Sequence, residues 1–588
     1  MKKTVIFLLI ILTACASKNV TGQSVHKNSK IKNIVDYNEL EKFKLVNDKA
    51  RILVVKDSGK IILNVETLKK PAHVYDISWR IPLKKEDYRE NTVFLLSFDA
   101  IATASGLETG EAKIKWVVGQ SKKYSHNLIK TISISSHRWE TYYIPFKLTK
   151  NVSEENFRLV MQVGYMPQSF VMKNLKFEVY PKKTKIEDLP RTKLKYAGME
   201  PDASWRKAAN ERIEKLRKAD FKLIFNLDGK PVKNTKVSIE QMQHEFSFGA
   251  VIQAKDVVNN TLAYQKLKEN FNLLVLMNDL KIRQWTNPVK QEVTLRAIQQ
   301  IKQDRIPLKA HVLLWPGFNY MPKKYHYLKN NPAQLVKLID SVQYDILIKT
   351  KGAVKIWDVV NEAYTNTDFQ KITGSENIIY SAFKKVKLMQ PNTKRFVNEF
   401  GIISNGGLDE KKQKWYYEYI KRIDQNTGGL VDGVGLQSHI GTDLTSPEKI
   451  LQLLDYYGSL NKELAISEFT LDIDDDQLRE QYTRDFMIAA FSHPQVTQFV
   501  FWGLIDDKNH KVDIFKQNGK PGSMGKAFLD LTQKQWHTDI EAKTGDNGEL
   551  TGKAFYGTYR YTLYIKGKKI TGDFQVSKNE DNQISIEL

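Results

Sequence analysis

Eight short apolar runs, separated by stretches long enough to form amphipathic helices, lie between residues 246 and 506. They occupy residues 246–252, 271–277, 308–315, 354–360, 393–398, 433–438, 463–467 and 498–503. A strand buried on both faces reads as a continuous apolar run, and parallel neighbours need a helical connection between them. Eight such repeats predict a (β/α)8 TIM barrel within residues 201–532.

Polar and aromatic side chains stand at the carboxyl ends of these predicted strands. They are Asn278, His311, Trp315, Asn361, Glu362, Glu399, Gln437, His439, Glu468 and Trp502. Burying such groups costs free energy unless they are paired, so a purely structural strand has no reason to end in them. In this fold the catalytic side chains lie at the carboxyl ends of the strands. The pattern therefore predicts a functional site at that end of the barrel.

Two carboxylates, Glu362 and Glu468, end the fourth and seventh runs. Two carboxyl groups that face each other across a pocket can cleave a glycosidic bond, with retention when they are ~5–5.5 Å apart. One must stay protonated while the other is ionised. Asn361 can hydrogen-bond a sugar hydroxyl, and His439 can orient Glu468. The alternative, two acids in surface ion pairs, does not explain why both stand among Trp and Asn residues.

The segment from about residue 205 to 531 resembles glycoside hydrolase family 10, whose members are mainly endo-β-1,4-xylanases. The main motifs are WDVVNE at 357–362, DGVGLQSH at 432–439 and ISE at 466–468. Shorter matches in the same order are FSFG at 246–249, NDLK at 278–281, HVLLW at 311–315, NE at 398–399 and FWG at 501–503.

The resemblance implies a retaining double displacement in which Glu362 is the general acid/base and Glu468 the nucleophile. It implies that Asn361 holds the 2-hydroxyl of the sugar at the cleavage point, and that Gln437 and His439 position the nucleophile and that sugar. Further substrate-binding side chains implied by the family are Asn278, Lys281, His311, Trp315 and Trp502. The family needs no metal or other cofactor, and no ligand cluster is visible in the sequence.

The chain departs from the family pattern at several substrate-facing positions. These are Met277 in place of a usual Glu, Pro316 in place of a His, Phe318 near a usual Gln, Thr470 in place of an Asp, and residues 506–513, where His510 stands instead of a Trp. A site that loses hydrogen-bond partners for sugar hydroxyls favours a substrate that lacks or masks them. We therefore expect a decorated xylan or another β-glycan rather than plain xylan.

The region before the barrel has a different pattern. Short alternating runs between residues 37 and 180 predict an antiparallel, jelly-roll-like β-sandwich over residues 36–182. Residues 139–146 and 174–180 resemble carbohydrate-binding modules. The aromatic candidates for stacking on a sugar are Trp79, Trp116, Trp139 and Tyr143, each of which can equally belong to the core. Residues 183–200 are predicted to be a linker, and residues 533–588 a small β appendage.

The amino terminus has the features of an export signal. Residues 1–15 combine Lys2 and Lys3, an apolar run at 5–12 and the LTAC sequence that ends at Cys15. LTAC resembles a bacterial lipobox, which predicts acylation of Cys15, a tether over residues 16–35 and a lipid-anchored protein of the cell envelope, facing the periplasm or the outside. An ordinary signal peptide is the alternative.

Composition excludes several classes of protein. A length of 588 residues at ~100–200 per domain gives about three domains. One cysteine allows neither an internal disulfide nor a Cys-rich zinc site. The formal net charge of +23 comes from dispersed residues in an exported chain, so nucleic acid is not an expected partner.

Three functions compete on this evidence. The first is a retaining endo-glycosidase acting on β-1,4-xylan or a related glycan. The second is a catalytically silent, surface glycan-binding lipoprotein, and the third a structural lipoprotein without a glycan ligand. The pair Glu362 and Glu468 favours the first, because a binding protein has no use for both.

Overall fold

The computed structural model describes residues 31–105, 111–120, 126–136, 138–192, 194–473, 475–506 and 514–588. Cys15, the predicted tether up to residue 30 and His510 lie outside these residues. The described residues form an amino-terminal sandwich, a parallel barrel and a second, smaller β unit.

The amino-terminal unit consists of two antiparallel sheets, as the sequence predicts. Its elements are β1 Lys32–Asn33, α1 Tyr37–Glu41, β2 Lys44–Val46, β3 Ala50–Asp57, β4 Lys60–Thr67, β5 Ser78–Ile81, β6 Val93–Ser105, β7 Ala112–Gln120, β8 His126–Ile134, β9 Glu140–Lys147, β10 Phe157–Gln162 and β11 Gln168–Val179. One sheet has the order β2-β3-β4-β11-β6-β9, with β1 on β11, and the other β5-β10-β7-β8.

The side chains between these sheets form one apolar core, in which the rings of Phe94, Phe146 and Phe177 stack. Trp79 and Trp116 belong to this core, at 3% and 0% exposure. Trp139 is 43% exposed, and the Lys173 ammonium lies 4.0 Å from the centre of its ring. Sugar binding by the sandwich stays a prediction, and Trp139 is the most accessible of these three indoles.

The barrel is closed by eight parallel strands in the predicted order. The elements of this part of the chain are α2 Ser204–Leu216, β12 Lys218–Leu227, β13 Lys230–Pro231, β14 Lys236–His244, β15 Ser247–Ile252, α3 Ala254–Val258, α4 Leu262–Asn270, β16 Leu273–Leu276, α5 Ile282–Trp285, α6 Pro288–Gln303, β17 Leu308–Leu314, α7 Pro332–Lys349, β18 Val354–Asn361, α8 Asp368–Thr373, α9 Asn377–Met389, β19 Lys394–Glu399, α10 Glu410–Thr427, β20 Gly433–Leu436, β21 His439–Ile440, α11 Pro447–Gly458, β22 Glu463–Leu471, α12 Asp476–Ser492, β23 Val496–Phe501 and α13 Ser523–Asp530. The order is β15-β16-β17-β18-β19-β20-β22-β23, and β23 pairs again with β15. The predicted TIM barrel is confirmed.

Three of the barrel helices begin with a polar cap followed by proline. The side chains of Asn287, Asn331 and Ser446 accept hydrogen bonds from backbone N–H groups three residues later, at 3.2, 3.1 and 3.2 Å. Proline in the first turn loses no intrahelical hydrogen bond, because that N–H has no partner inside the helix. These pairs fix where α6, α7 and α11 start, and so where the chain leaves the rim.

The second β unit joins two distant parts of the chain. Its later strands are β24 Asp539–Lys543, β25 Glu549–Phe555, β26 Gly557–Ile565, β27 Lys568–Val576 and β28 Gln583–Glu587. β12 pairs with β13, β25 and β28, and β14 pairs with β24 and β26. The predicted appendage 533–588 is therefore completed by strands from 218–244, which the sequence analysis assigned to the barrel domain. Two strands that pair although they lie some 300 residues apart along the chain leave no local signal in the sequence.

The carboxyl-terminal part of the segment predicted to be a linker, residues 183–200, packs against the barrel. Tyr196 is buried and donates a hydrogen bond to Asp485 at 2.7 Å, and the Trp205 indole donates to the Gly198 carbonyl at 2.7 Å. The sandwich is thus held against the barrel, with a cavity of ≈ 400 Å³ at the junction. Glu111 lines this cavity together with Asp443.

Replacing Glu111 by Gln is expected to stabilise the protein at alkaline pH. Burial raises the pKa of Glu111 to about 7, partly offset by Lys113 and reinforced by Asp443. A raised pKa means that the folded state holds this proton more tightly than the unfolded state does. The protonated Glu111 carboxyl group therefore makes its full contribution to the free energy of unfolding below about pH 4.5. This contribution is lost as the pH rises through about 7. Glu111→Gln should therefore add about 1–3 kcal/mol at pH 8 and little at pH 4.

Thermal unfolding at both pH values measures this difference. Glu155→Gln, at an exposed glutamate of the same unit, is the matched control and should change Tm equally at both. A Glu111→Gln effect that does not depend on pH would contradict the prediction.

Candidate active site

The two predicted catalytic glutamates lie at the same end of the barrel and are joined by side-chain amides. Gln437 Nε2 lies 3.2 Å from Glu362 Oε1 and 3.1 Å from Asn361 Oδ1. Asn398 Nδ2 donates to the same Asn361 oxygen at 2.9 Å, and to Glu468 Oε1 at 2.7 Å. This network of hydrogen bonds runs from one carboxyl group to the other and fixes how each faces the pocket.

Glu362 has an unusual backbone conformation, with φ at +52° in the left-handed region. A side chain in this region costs energy and needs support from its surroundings. Its N–H donates to the Asn398 carbonyl at 2.9 Å. Its carbonyl accepts from the backbone N–H of Asn366 at 3.1 Å and from the Asn366 side chain at 2.9 Å. These bonds hold the carboxyl group just beyond the end of β18.

Glu468 lies within β22 and is only 4% exposed. Its second oxygen, Oε2, is 3.2 Å from His439 Nε2, and His439 Nδ1 is 3.0 Å from Thr470 Oγ1. The pairing of β21 with β22 places His439 directly beside Thr470. Both oxygens of Glu468 thus have a nitrogen within hydrogen-bond distance.

A buried charge network lies below Glu468 inside the barrel. Asp358 Oδ2 is 3.0 Å from His311 Nδ1, and Asp358 Oδ1 is 3.1 Å from Lys309 Nζ, with all three side chains 1% exposed. Burial acts to raise the pKa of Asp358, but Lys309 and His311 together lower it below its ordinary value. His311 Nδ1 is also 3.9 Å from Glu468 Oε1. An ionised Asp358 therefore orients the imidazole beside Glu468.

The surroundings of Glu362 favour its protonated form. Burial raises the pKa of Glu362 above the ordinary value, and the charge of Glu468 adds to this. The hydrogen bond from Gln437 acts in the opposite direction but does not cancel the increase. Of the two carboxyl groups, Glu362 is thus suited to donate a proton.

Asn361 is fully buried, and its carbonyl oxygen accepts from both Gln437 and Asn398. Its nitrogen Nδ2 makes no hydrogen bond of good geometry within the described part of the chain. It does lie close enough to Glu362 to lower the pKa of that carboxyl group. Because a buried donor without a partner is costly, this position suits a ligand oxygen between Asn361 and Glu362.

Three predicted substrate-binding side chains lie together on one wall. Lys281 donates to Asn278 Oδ1 at 2.8 Å, and its ammonium is 4.9 Å from the centre of the Trp315 ring. Burial lowers the pKa of Lys281, although Glu468 and Glu362 act to raise it. Tyr320, which the sequence analysis did not identify, stacks on Trp315 with ring centres 3.4 Å apart. One face of the Trp315 indole is thereby covered.

Trp502 lies at the other side of the catalytic pair. Its ring meets His311 edge-on with centres 5.0 Å apart. Trp502 and His439 also line a cleft of ≈ 900 Å³, together with Met277 and Thr470. The cleft thus extends from His439, which contacts Glu468, to the ends of β15 and β23.

Another buried acid, Glu399, lies behind Glu362. It forms an ion pair with Lys412 of α10 at 2.9 Å and accepts a hydrogen bond from the Tyr364 N–H at 3.1 Å. Burial raises the pKa of Glu399 to about 7, although Lys412 acts to lower it. The strand-end pattern indicates Glu399, but nothing in the sequence of α10 indicates Lys412. The sequence shows Asn398 only as part of the NE match at 398–399 and does not predict its hydrogen bond to Glu468.

The described residues contain no group of three or more His, Cys, Asp or Glu side chains that can hold a metal ion. The carboxyl groups of this pocket lie against amides, imidazoles and ammonium groups, and carboxyl groups placed in this way can transfer protons or attack as nucleophiles.

Residues 238–523 match the family model described as Glycosyl hydrolase family 10. Among curated proteins, the anti-sigma-I factor RsgI6 of Acetivibrio thermocellus is 27% identical over 62% of this chain and 47% of its own length. Endo-1,4-beta-xylanase 1 of Arabidopsis thaliana is 25% identical over 64% of this chain and 40% of its own. The chain thus spans less than half the length of these relatives. Xylanase 10B of Thermotoga petrophila RKU-1, solved with xylobiose, is 20% identical with a TM-score of 0.43, over 50% of this chain and 95% of that one.

The matched residues contain all eight barrel strands, both glutamates and the side chains that connect them. The barrel domain of this chain belongs to glycosyl hydrolase family 10.

Proposed function

We propose that this chain is a retaining, endo-acting glycoside hydrolase that cleaves β-1,4-xylan or a related decorated β-glycan. The observation that carries the proposal is the pair of carboxyl groups of the partly buried Glu362 and the buried Glu468, joined through amides at one end of the barrel. Two such groups in unlike surroundings are what acid-assisted displacement at a sugar carbon requires.

In the first step, a Glu468 oxygen attacks the anomeric carbon while Glu362 gives its proton to the departing glycosidic oxygen. The carbon–oxygen bond to the leaving sugar breaks, and a glycosyl ester on Glu468 forms. In the second step, Glu362 takes a proton from a water molecule, which attacks the same carbon and releases Glu468. Both carboxyl groups return to their starting protonation states.

The assignment of roles follows from the contacts. Asn398 and His439 lie within hydrogen-bond distance of different oxygens of Glu468, so both oxygens of this carboxyl group are held in a fixed orientation for attack. Glu362 accepts a hydrogen bond from Gln437, but burial and the charge of Glu468 raise its pKa above the ordinary value. Glu362 therefore stays protonated to a higher pH than an ordinary glutamate, as the general acid must.

The polysaccharide substrate is supported by the polar wall and by the cleft. Asn278, Lys281 and Asn361 offer donors and acceptors for ring hydroxyls, and Trp502 gives an apolar surface for a sugar. The cleft of ≈ 900 Å³ beside Trp502 gives space for a side group on the glycan. The similarity to an endo-1,4-beta-xylanase supports a xylan backbone.

A panel of linear and decorated β-glycans tests the proposal. The release of new reducing ends, with a ladder of oligosaccharide products, is the expected result. Proton NMR of the first product should show the anomer of the substrate. An inverted anomer would contradict the assigned roles, and binding without cleavage would favour the glycan-capturing alternative.

We also propose that the protein is exported and anchored in the cell envelope by a lipid on Cys15. The support is the pattern of residues 1–15, which lie outside the described residues. Within the residues described, none of the helices has the length and apolarity needed to span a membrane.

Labelling with a fatty acid in the producing cell should mark the wild-type protein, and Cys15→Ser should lose the label and leave the membrane fraction, because the thiol is the only acylation site of this kind. A labelled Cys15→Ser protein would contradict the anchor.

A further inference from the structure

A lysine of the sandwich is buried in the rim of the barrel. Lys113 lies on β7 with its side chain 3% exposed, and its ammonium forms an ion pair with Asp443, which is 10% exposed. Gln168 fixes the backbone at this point, accepting from the Lys113 N–H at 2.7 Å and donating to its carbonyl at 2.9 Å. An ammonium this deeply buried is tolerated only with a partner, so each residue of the pair depends on the other.

The ammonium of Lys113 lies between two loops at the carboxyl ends of the barrel strands, those after β19 and β21. Gly406 in the first loop has φ at +69°, and a Cβ there would meet the Lys113 ammonium. The Gly406 N–H donates to the Asp443 carbonyl in the second loop at 3.2 Å. Lys113 is thus seated where the two loops join.

The loop that holds Asp443 begins at the strand that carries His439. Only Ile440, Gly441 and Thr442 separate the two residues. Directly after Asp443, Leu444 packs in the barrel core, and the Thr445 hydroxyl donates to the Ile403 carbonyl at 2.5 Å. Because the connection is this short, a shift at Asp443 is passed to His439.

Resting on the proposed function, we propose that Lys113 is a positioning residue for the reaction. It fixes the loop after β21 and thereby holds the His439 imidazole 3.2 Å from the nucleophile Glu468. The sandwich is then part of the active-site rim, and its removal or displacement changes catalysis without the loss of any group that touches the substrate.

Two measurements on the full chain test this role: hydrogen exchange of the segment 438–446, and kcat and KM on a linear xylo-oligosaccharide. Lys113→Met should speed exchange in this segment about tenfold, and lower kcat about tenfold with KM within about twofold, because a misplaced supporting group costs rate more than binding. Asp443→Asn should act in the same direction. Lys113→Arg, which keeps the charge, should recover part of kcat.

The matched control is Lys115→Met, two residues along the same face of β7, which should change neither quantity. Unchanged exchange and kcat in the Lys113 and Asp443 variants would overturn the proposal, as would a lower Tm with unchanged kcat or a higher KM with unchanged kcat. If Lys113→Met no longer unfolds cooperatively, its kinetics do not report on positioning. The exchange and kcat of Asp443→Asn then decide the question, because this variant keeps a hydrogen-bond acceptor for the Lys113 ammonium. If the wild type cleaves no glycan, the proposed function fails, and the exchange data still decide whether Lys113 holds the loop.

Discussion

Glu468→Gln is expected to lower kcat about 10⁴-fold or more while the protein stays folded. The neutral amide cannot form the glycosyl ester, so the first step loses its nucleophile. The substitution keeps the size of the side chain and can keep contacts to Asn398 and His439, so the pocket should retain its shape and its affinity for glycans. Hydrolysis of a linear xylo-oligosaccharide, with Tm and glycan binding measured on the same samples, checks this.

The matched control is Glu463→Gln. Glu463 lies on the same strand, β22, but at the opposite end of the barrel, where it pairs with Lys394. Glu463→Gln should lower the free energy of unfolding only slightly, because a half-exposed ion pair contributes little. It should leave kcat near the wild-type value, because Glu463 is far from the catalytic end of the strand. Glu468→Gln activity within about tenfold of the wild type would exclude Glu468 as the nucleophile.

A smaller replacement separates a nucleophile from a positioning acid. Glu468→Gly leaves space where the carboxylate was, and added azide can attack the anomeric carbon of a substrate with a good leaving group. The product should be a glycosyl azide of inverted configuration, because only one displacement occurs. A product of retained configuration would assign the acid/base role to Glu468 instead.

The location of the site was predictable because it depends on a regular feature of the fold. The carboxyl ends of parallel strands meet at one rim, so the residues that end the predicted strands, among them Asn361, Gln437 and Glu468, had to come together. In the structure these three side chains belong to one hydrogen-bond network, in which Asn398 joins Asn361 to Glu468. The order of the strands alone is enough to predict that these residues share one rim.

What the sequence did not show depends on contacts between distant segments. Lys412 reaches Glu399 from a helix, Tyr320 covers Trp315 from a short turn, and Lys113 reaches Asp443 from another unit. Each is an ordinary polar or aromatic residue in its local sequence, with no periodicity to mark it. The same holds for β12 and β14, whose partners lie in the carboxyl-terminal segment.

Glu362→Gln is expected to lower kcat about 10²–10⁴-fold on natural glycans, whose leaving oxygen needs a proton. An aryl glycoside with a leaving group of low pKa should form the glycosyl ester nearly as fast as with wild type, because its departure needs no acid. The wild-type kcat/KM should fall as the pH rises through the pKa of Glu362. Burial and Glu468 place that pKa above the ordinary glutamate value, so the fall begins at a higher pH than for an exposed acid.

The pH profile gives the sharper test of this role. Glu362→Gln should lose the alkaline fall, since no proton remains to be lost at that position. Gln437→Ala should move the fall to higher pH in an enzyme that still has Glu362, because the hydrogen bond from Gln437 lowers the pKa of that carboxyl group. A profile that keeps its alkaline limb in Glu362→Gln would place the acid elsewhere, and Glu399, buried behind Glu362 with its pKa raised to about 7, would be the next group to test.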